Sequence, residues 1–200
     1  MDYFNDAEVE KQAEFAKKRD QFFRPVVTAL AARGITPAGL SIAGILAALA
    51  ASLIPADFWI LTAVLLGLYV LMDGLDGPLA RLTGSQSQGG SMLDIFADQV
   101  GVIFVAVGAV VWLDANAFAN ILFAFFYINA IYLIVLCKFL GAGIPLILRV
   151  KYVYFVLYVV SLAFEFSILI DVFCAVFLAY YAVFFAKLFR MAYDAVNARG

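Results

Sequence analysis

The sequence predicts an all-α integral membrane protein: a six-transmembrane-helix bundle preceded by an N-terminal amphipathic interfacial helix. Three observations predict it. Of the 200 residues, 66% are hydrophobic and the mean hydropathy is +1.01, far above the composition of a soluble globular domain. Crossing a bilayer takes about 20 apolar residues per helix, and six stretches approach that length. Threading the chain through six spans also collects every lysine and arginine on one face, which the positive-inside rule makes cytoplasmic.

The elements follow in order. Residues 5–33 are charged but carry Val9, Phe15, Phe22, Phe23, Val26, Val27 and Leu30, a pattern that suits a helix lying in the membrane interface. This segment is polar from its first residue, unlike a cleavable signal peptide. The turn-like Arg33-Gly34-Ile35-Thr36-Pro37 ends it, dividing the chain into an interfacial unit, 1–35, and a membrane domain, 36–200. The spans are expected near 38–55, 58–82, 90–113, 117–138, 150–165 and 168–190. The fifth is short and could extend backwards through Pro145. Glycine, proline and polar residues mark the breaks, among them Ile54-Pro55-Ala56-Asp57, Thr83-Gly84-Ser85 and Asp114-Ala115-Asn116.

Lys11, Lys17, Lys18, Arg19, Arg24, Arg33, Arg81, Lys138, Arg149, Lys151, Lys187, Arg190 and Arg199 all fall to the cytoplasmic side in this threading, and both termini with them. The opposite turns carry Asp57, Asp114, Glu165 and Asp171. A net charge of −2 without a basic tract argues against nucleic-acid binding. Cys137 and Cys174 stand in separate apolar stretches and read as packing residues. The 20 phenylalanines and 10 tyrosines read as packing or lipid-facing side chains. Histidine is absent, so acid and base work must fall to carboxylates.

Four carboxylates interrupt the apolar pattern. Asp73 and Asp76 lie three residues apart in the second span, and Asp94 and Asp98 four apart in the third, so each pair shares a helix face. A carboxylate at the centre of a spanning helix costs about 2.5–3.5 kcal/mol, so four of them need a compensating partner. Both pairs lie within two or three turns of the cytoplasmic end, on helices that a short loop makes antiparallel neighbours. Their hard oxygens suit Mg²⁺, Mn²⁺ or Ca²⁺, and two ions could bridge a diphosphate. Gly74, Gly77 and Ala80 bare the helix surface beside them, Pro78 withholds an amide hydrogen from the Gly74 carbonyl, and Arg81 can grip phosphate by two hydrogen bonds. Tight helix packing would account for the glycines but leaves the aspartates unexplained.

Asp73, Asp76, Gly77, Ala80, Arg81, Gly90, Asp94 and Asp98 match, in type and spacing, the signature D-x2-D-G-x2-A-R-x8-G-x3-D-x3-D. The chain thereby resembles the CDP-alcohol phosphotransferase (phosphatidyltransferase) family, whose architecture also has six spans behind an interfacial helix. One departure is Ala38, where many members have asparagine. The resemblance implies a divalent-metal-dependent enzyme of phospholipid biosynthesis. It would transfer a substituted phosphate from a CDP-linked lipid donor, CDP-diacylglycerol foremost, to an alcohol acceptor and release CMP. It further implies that Asp73, Asp76, Asp94 and Asp98 hold two Mg²⁺ or Mn²⁺ ions, and that Asp98 is the general base. Asp73, Asp76, Gly77, Ala80, Arg81 and Gly90 would bind the cytidine diphosphate moiety.

Family members commonly form homodimers, and the active site is expected to face the cytoplasm. Lys138, Arg149 and Lys151, around the loop between the fourth and fifth spans, could hold a phosphorylated acceptor such as glycerol phosphate or inositol phosphate. The topology rule alone also predicts basic residues there. Serine, free inositol, or diacylglycerol accepting CDP-linked choline or ethanolamine stay open as acceptors. Two other classes compete: an intramembrane prenyltransferase, which also binds diphosphate through aspartates, and a transporter, since intramembrane acids often mark ion pathways.

Overall fold

The computed structural model describes residues 6–198, with side chains from residue 17 onward. The described residues form seven α-helices: α1 (Asp6–Ala32), α2 (Pro37–Leu53), α3 (Trp59–Thr83), α4 (Gln88–Leu113), α5 (Ala117–Phe139), α6 (Lys151–Ala163) and α7 (Ile168–Asn197). A single 3₁₀ turn, Ala56–Phe58, leads into α3. The side chains of Val9, Lys11, Phe15 and Arg199, used in the sequence argument, lie outside the described residues.

Local chemistry sets the helix boundaries. Thr36 caps α2 by accepting a hydrogen bond from the Gly39 amide at 3.1 Å, and Pro37 occupies the first turn, where its missing N–H costs nothing. Ser87 and Asn116 cap α4 and α5 in the same way. Gly84 ends α3 in the left-handed conformation (φ 63°) that glycine adopts without strain, which turns the chain back into α4 within four residues. Pro78 does not break α3, which runs through it to Thr83.

All six expected apolar segments are helical, and α1 precedes them. Four helices (the one beginning at Ala56, α4, α5 and α7) are long and apolar enough to cross a membrane; α1 and α2, bent by 101° at their junction, would make a fifth span if taken together. The backward extension of the fifth span through Pro145 does not occur: the stretch before Lys151 is irregular, and α6 has only 13 residues. The outer surface is apolar, with Ile103, Val107, Val111, Ile121, Phe125, Val153, Val156, Val172, Val176 and Val183 all exposed. A surface of that kind needs lipid around it, and the chain is an integral membrane protein.

The main core runs through α2 to α7, filled by Tyr69, Phe123, Tyr154, Tyr158 and Tyr181 with aliphatic neighbours. Cys137 and Cys174 are free and buried within it, as their apolar surroundings predicted. A smaller cluster of Val27, Leu40, Leu75 and Leu79, flanked by Phe23 and Leu30, seats α1 on α2 and α3. The two aspartate helices touch less than their short connection suggests. α2 packs along both α3 and α4, and α6 packs on both as well. Where α3 does meet α4, the missing side chain of Gly101 leaves room for the Tyr69 ring. The Tyr69 hydroxyl donates to the Ala97 carbonyl at 3.0 Å.

Candidate active site

A cleft of about 550 Å³ opens between α2, α3 and α4, with Asp73, Asp76, Gly77, Ala80, Arg81, Gly90 and Asp94 in its walls. Seven of the eight signature residues therefore face one space, together with Pro37, Ala38 and Ser41 of α2 and Arg19 of α1. Helical spacing explains the α3 wall: Asp73, Asp76, Gly77, Ala80 and Arg81 recur every three or four residues along one face. Asp98, the eighth, joins through the carboxylate cluster.

One oxygen each of Asp73, Asp94 and Asp98 lies within 4.8 Å of the others. Three hard anionic donors at that separation fit a divalent cation with oxygen preference. The pairing read from sequence is thus partly reordered in space. Asp76 lines the same cleft but lies outside this trio: its Oδ2 accepts from the Ser41 hydroxyl at 2.8 Å and its Oδ1 from the Gly77 amide at 2.6 Å. It is 6% exposed, and these two bonds offset the cost of burying its charge.

Lys151 does not stand out in the loop beside Lys138 and Arg149. It opens α6, is 4% exposed, and its ammonium reaches the carboxylates of both Asp98 and Asp73, the latter at 3.3 Å. Tyr152 adds a hydroxyl bond to Asp73 at 2.9 Å. The Lys151 ammonium also sits 4.7 Å from the Tyr152 ring centre and 5.5 Å from that of Tyr69, on aromatic faces that attract a cation. Arg149 and Lys138 are exposed.

Arg81 is exposed at the cleft rim and holds both oxygens of Asp20 in α1, each bond 2.6 Å long. That guanidinium keeps the Asp20 carboxyl below its ordinary range. Ser41, Tyr69, Tyr152, Arg19 and Asp20 were not picked out from the sequence. Only Arg19 and Asp20 had a visible signal, as adjacent opposite charges at the start of the apolar part of α1.

A sequence profile described as CDP-alcohol phosphatidyltransferase matches residues 34–189. The chain belongs to the CDP-alcohol phosphatidyltransferase family. Membership removes the prenyltransferase and transporter readings. Among curated relatives, a phosphatidylinositol phosphate synthase of Corynebacterium glutamicum is 35% identical over 92 residues, which are 44% of this chain and 41% of that one. An archaetidylinositol phosphate synthase of Pyrococcus horikoshii is 39% identical over 95 residues, 44% of this chain and 49% of that one. The alignments thus span about half the length of these relatives or less. In three dimensions, the phosphatidylinositol phosphate synthase of Mycobacterium tuberculosis matches 84% of this chain and 88% of its own, with a TM-score of 0.71 and 20% identity. That protein was solved in complex with manganese and citrate, and also with CDP-DAG bound. The likeness at this identity is one of fold.

Proposed function

We propose that this phosphatidyltransferase moves a phosphatidyl group from CDP-diacylglycerol to a polar alcohol and releases CMP. The observation that carries the reading is the trio Asp73, Asp94 and Asp98 at one end of a cleft walled by the rest of the signature. These three carboxylates together with Asp76 would hold divalent metal, Mg²⁺ or Mn²⁺ and two ions in all, which when bound neutralises charge on the donor's diphosphate. Gly77 and Ala80 leave the α3 surface low enough for the nucleotide to lie against the backbone. Arg81 would meet phosphate through Nη1, on the side of its guanidinium that does not bond Asp20.

Asp98 takes the proton of the acceptor hydroxyl as its oxygen bonds to the phosphorus that bears the diacylglycerol. The bond from that phosphorus to the bridging oxygen breaks, and CMP departs with the electron pair. The chain's contribution is chiefly positioning and electrostatics, as in phosphoryl transfer generally. Inositol phosphate is the foremost acceptor, supported by the names of the two curated relatives. Lys138, Arg149 and Lys151 would supply its phosphate contacts, Lys151 from beside Asp73 and Asp98.

Topology follows from the same reading. α2 to α7 are six spans, α1 lies in the interface, and both termini and the cleft face the cytoplasm, with a homodimer as the assembly. Light scattering in detergent checks the last point. The decisive assay supplies purified protein with CDP-diacylglycerol and, in turn, inositol phosphate, glycerol phosphate, serine and inositol. CMP release with one acceptor, abolished by EDTA and restored by Mn²⁺ or Mg²⁺, is expected. No CMP with any acceptor, or full activity in EDTA, refutes the proposal. In proteoliposomes of fixed orientation, donor and acceptor offered only on the non-cytoplasmic face should give none.

A further inference from the structure

We infer that Arg19 of the N-terminal helix is a second guanidinium for the donor's diphosphate, closing on it beside Arg81. The inference rests on the donor assignment above and adds a residue that lies outside the signature and outside the matched region, 34–189. Arg19 lines the same cleft as Asp76, Gly77 and Arg81. A Cβ placed on Gly77 would lie 3.3 Å from Arg19 Nη2 and 3.5 Å from Arg81 Nη1, so both forks converge over one bare Cα. Two permanent cations brought together repel each other, and Asp20 is the carboxylate that bonds Arg81 beside them.

Hydrogen bonding points the same way. Arg81 gives its Nε and Nη2 protons to Asp20, which leaves Nη1 directed towards Gly77. Arg19 Nε is buried and has no hydrogen-bond partner. A buried charged donor without an acceptor is costly, and Arg19 sits next to Asp20 yet does not use it for that proton. A purely structural arginine would take the nearby carboxylate. A phosphate oxygen lying over Gly77 would accept from the two converging Nη groups, and the planar fork suits it.

The placement is fixed by the fold. Val27, 2% exposed, packs on Leu40, Leu75 and Leu79, and the Asp20–Arg81 pair ties the preceding turns of α1 to α3. Arg19 is one residue from that tie, so its reach into the cleft is set by packing and not by a free tail. A chain that lacked α1 would retain the whole signature and lose one diphosphate contact.

Calorimetric titration of CDP into the full-length protein in detergent, with saturating Mn²⁺, tests this. Arg19→Ala should weaken CDP binding by about ten- to hundredfold, the range for a hydrogen-bonded charge pair, with Arg19→Lys intermediate because it keeps the charge and loses the fork. The thermal midpoint of both should stay within about 2 °C of the wild type, since no packing contact is removed. If Arg81→Ala loses CDP while Arg19→Ala binds it like the wild type, the inference is overturned and the donor assignment stands. If the wild type binds no CDP, the donor assignment fails and takes this inference with it. Should Arg19→Ala fail to fold, Arg19→Gln carries the comparison, and wild-type affinity in that variant overturns the inference equally.

Discussion

Gly101→Ala puts the close approach of the two aspartate helices to a direct test. The added Cβ would lie 2.7 Å from Tyr69 Cε1 and nearer still to the hydroxyl. Carbon atoms prefer about 3.5–4.0 Å, so ring and helix must separate by roughly 1 Å. Tyr69 has little freedom to yield. It is 1% exposed, packs on Phe155 with ring centres 5.7 Å apart, and donates to the Ala97 carbonyl. Overpacking of this kind costs about 1–3 kcal/mol, and stretching the buried hydroxyl bond adds about 1, giving roughly 2–4 kcal/mol. For a chain of this size that lowers the thermal midpoint by about 4–16 °C. Ala97 immediately precedes Asp98, so the displacement also moves a carboxylate of the cluster, and a shift of about 1 Å can cost on the order of a hundredfold in rate. The assays are thermal unfolding by intrinsic fluorescence in detergent and CMP release. Tyr69→Phe combined with Gly101→Ala, which removes the nearest atom, should regain part of both. An alanine variant with unchanged midpoint and turnover would refute the account of how α3 and α4 are held at this distance.

Four further outcomes are expected. Asp98→Asn should lower turnover by about 10²–10⁴, the usual worth of a general base, and wild-type turnover would sink that role. Lys151→Met removes the cation that competes with metal for Asp73 and Asp98, so Mn²⁺ should bind about tenfold tighter or more, while the midpoint in EDTA falls as expected when one partner of a buried ion pair is deleted; a midpoint loss that Mn²⁺ does not repair would contradict this. Asp94→Asn should raise the midpoint in EDTA and abolish Mn²⁺ binding measured by paramagnetic resonance, with retained binding as the refuting result. Asp20, faced by Arg81 and Arg19, titrates below its unfolded value, so its tie to Arg81 stabilises the fold above about pH 4 and is lost as pH falls through the lower folded value. The midpoint difference between wild type and Asp20→Asn should therefore be full at pH 7 and shrink in acid; a difference that grew on acidification would reverse the sign of the argument.

The parts of the fold that are local in sequence were legible. Span ends could be read from Thr36-Pro37, Gly84 and Asn116 because capping acts within three or four residues, and the aspartate faces from helical spacing alone. Contacts between distant segments were not. Ser41 meets Asp76 across 35 positions, and Tyr152 meets Asp73 across 79, with nothing in either neighbourhood to announce the partner. Lys151 was visible as a basic residue near a span end and was read as part of a loop cluster with Lys138 and Arg149. The irregular stretch before α6 and the short helix that follows put it against the carboxylates instead. Periodicity cannot reveal this, because it reports which face a residue occupies and not which helix that face will meet.

The compensation of the four carboxylates explains why the cluster is uneven. Asp76 is offset by neutral donors, the Ser41 hydroxyl and the Gly77 amide, one to each oxygen, which leaves lone pairs on both. Asp73 and Asp98 share the Lys151 ammonium, with Tyr152 supporting Asp73. Among the described residues Asp94 makes no hydrogen bond or ion pair; Lys151 and Arg19 act on it only through space. A carboxylate at membrane depth with no direct partner is the member of the set whose cost has the least structural return. Its oxygen lies within 4.8 Å of one oxygen each of Asp73 and Asp98, the two carboxylates paired with the Lys151 ammonium. The four carboxylates therefore differ in what the fold already gives them: Asp76 ties α2 to α3 through Ser41 while lining the cleft, Asp73 and Asp98 are paired with Lys151, and Asp94 has the fewest protein partners of the four.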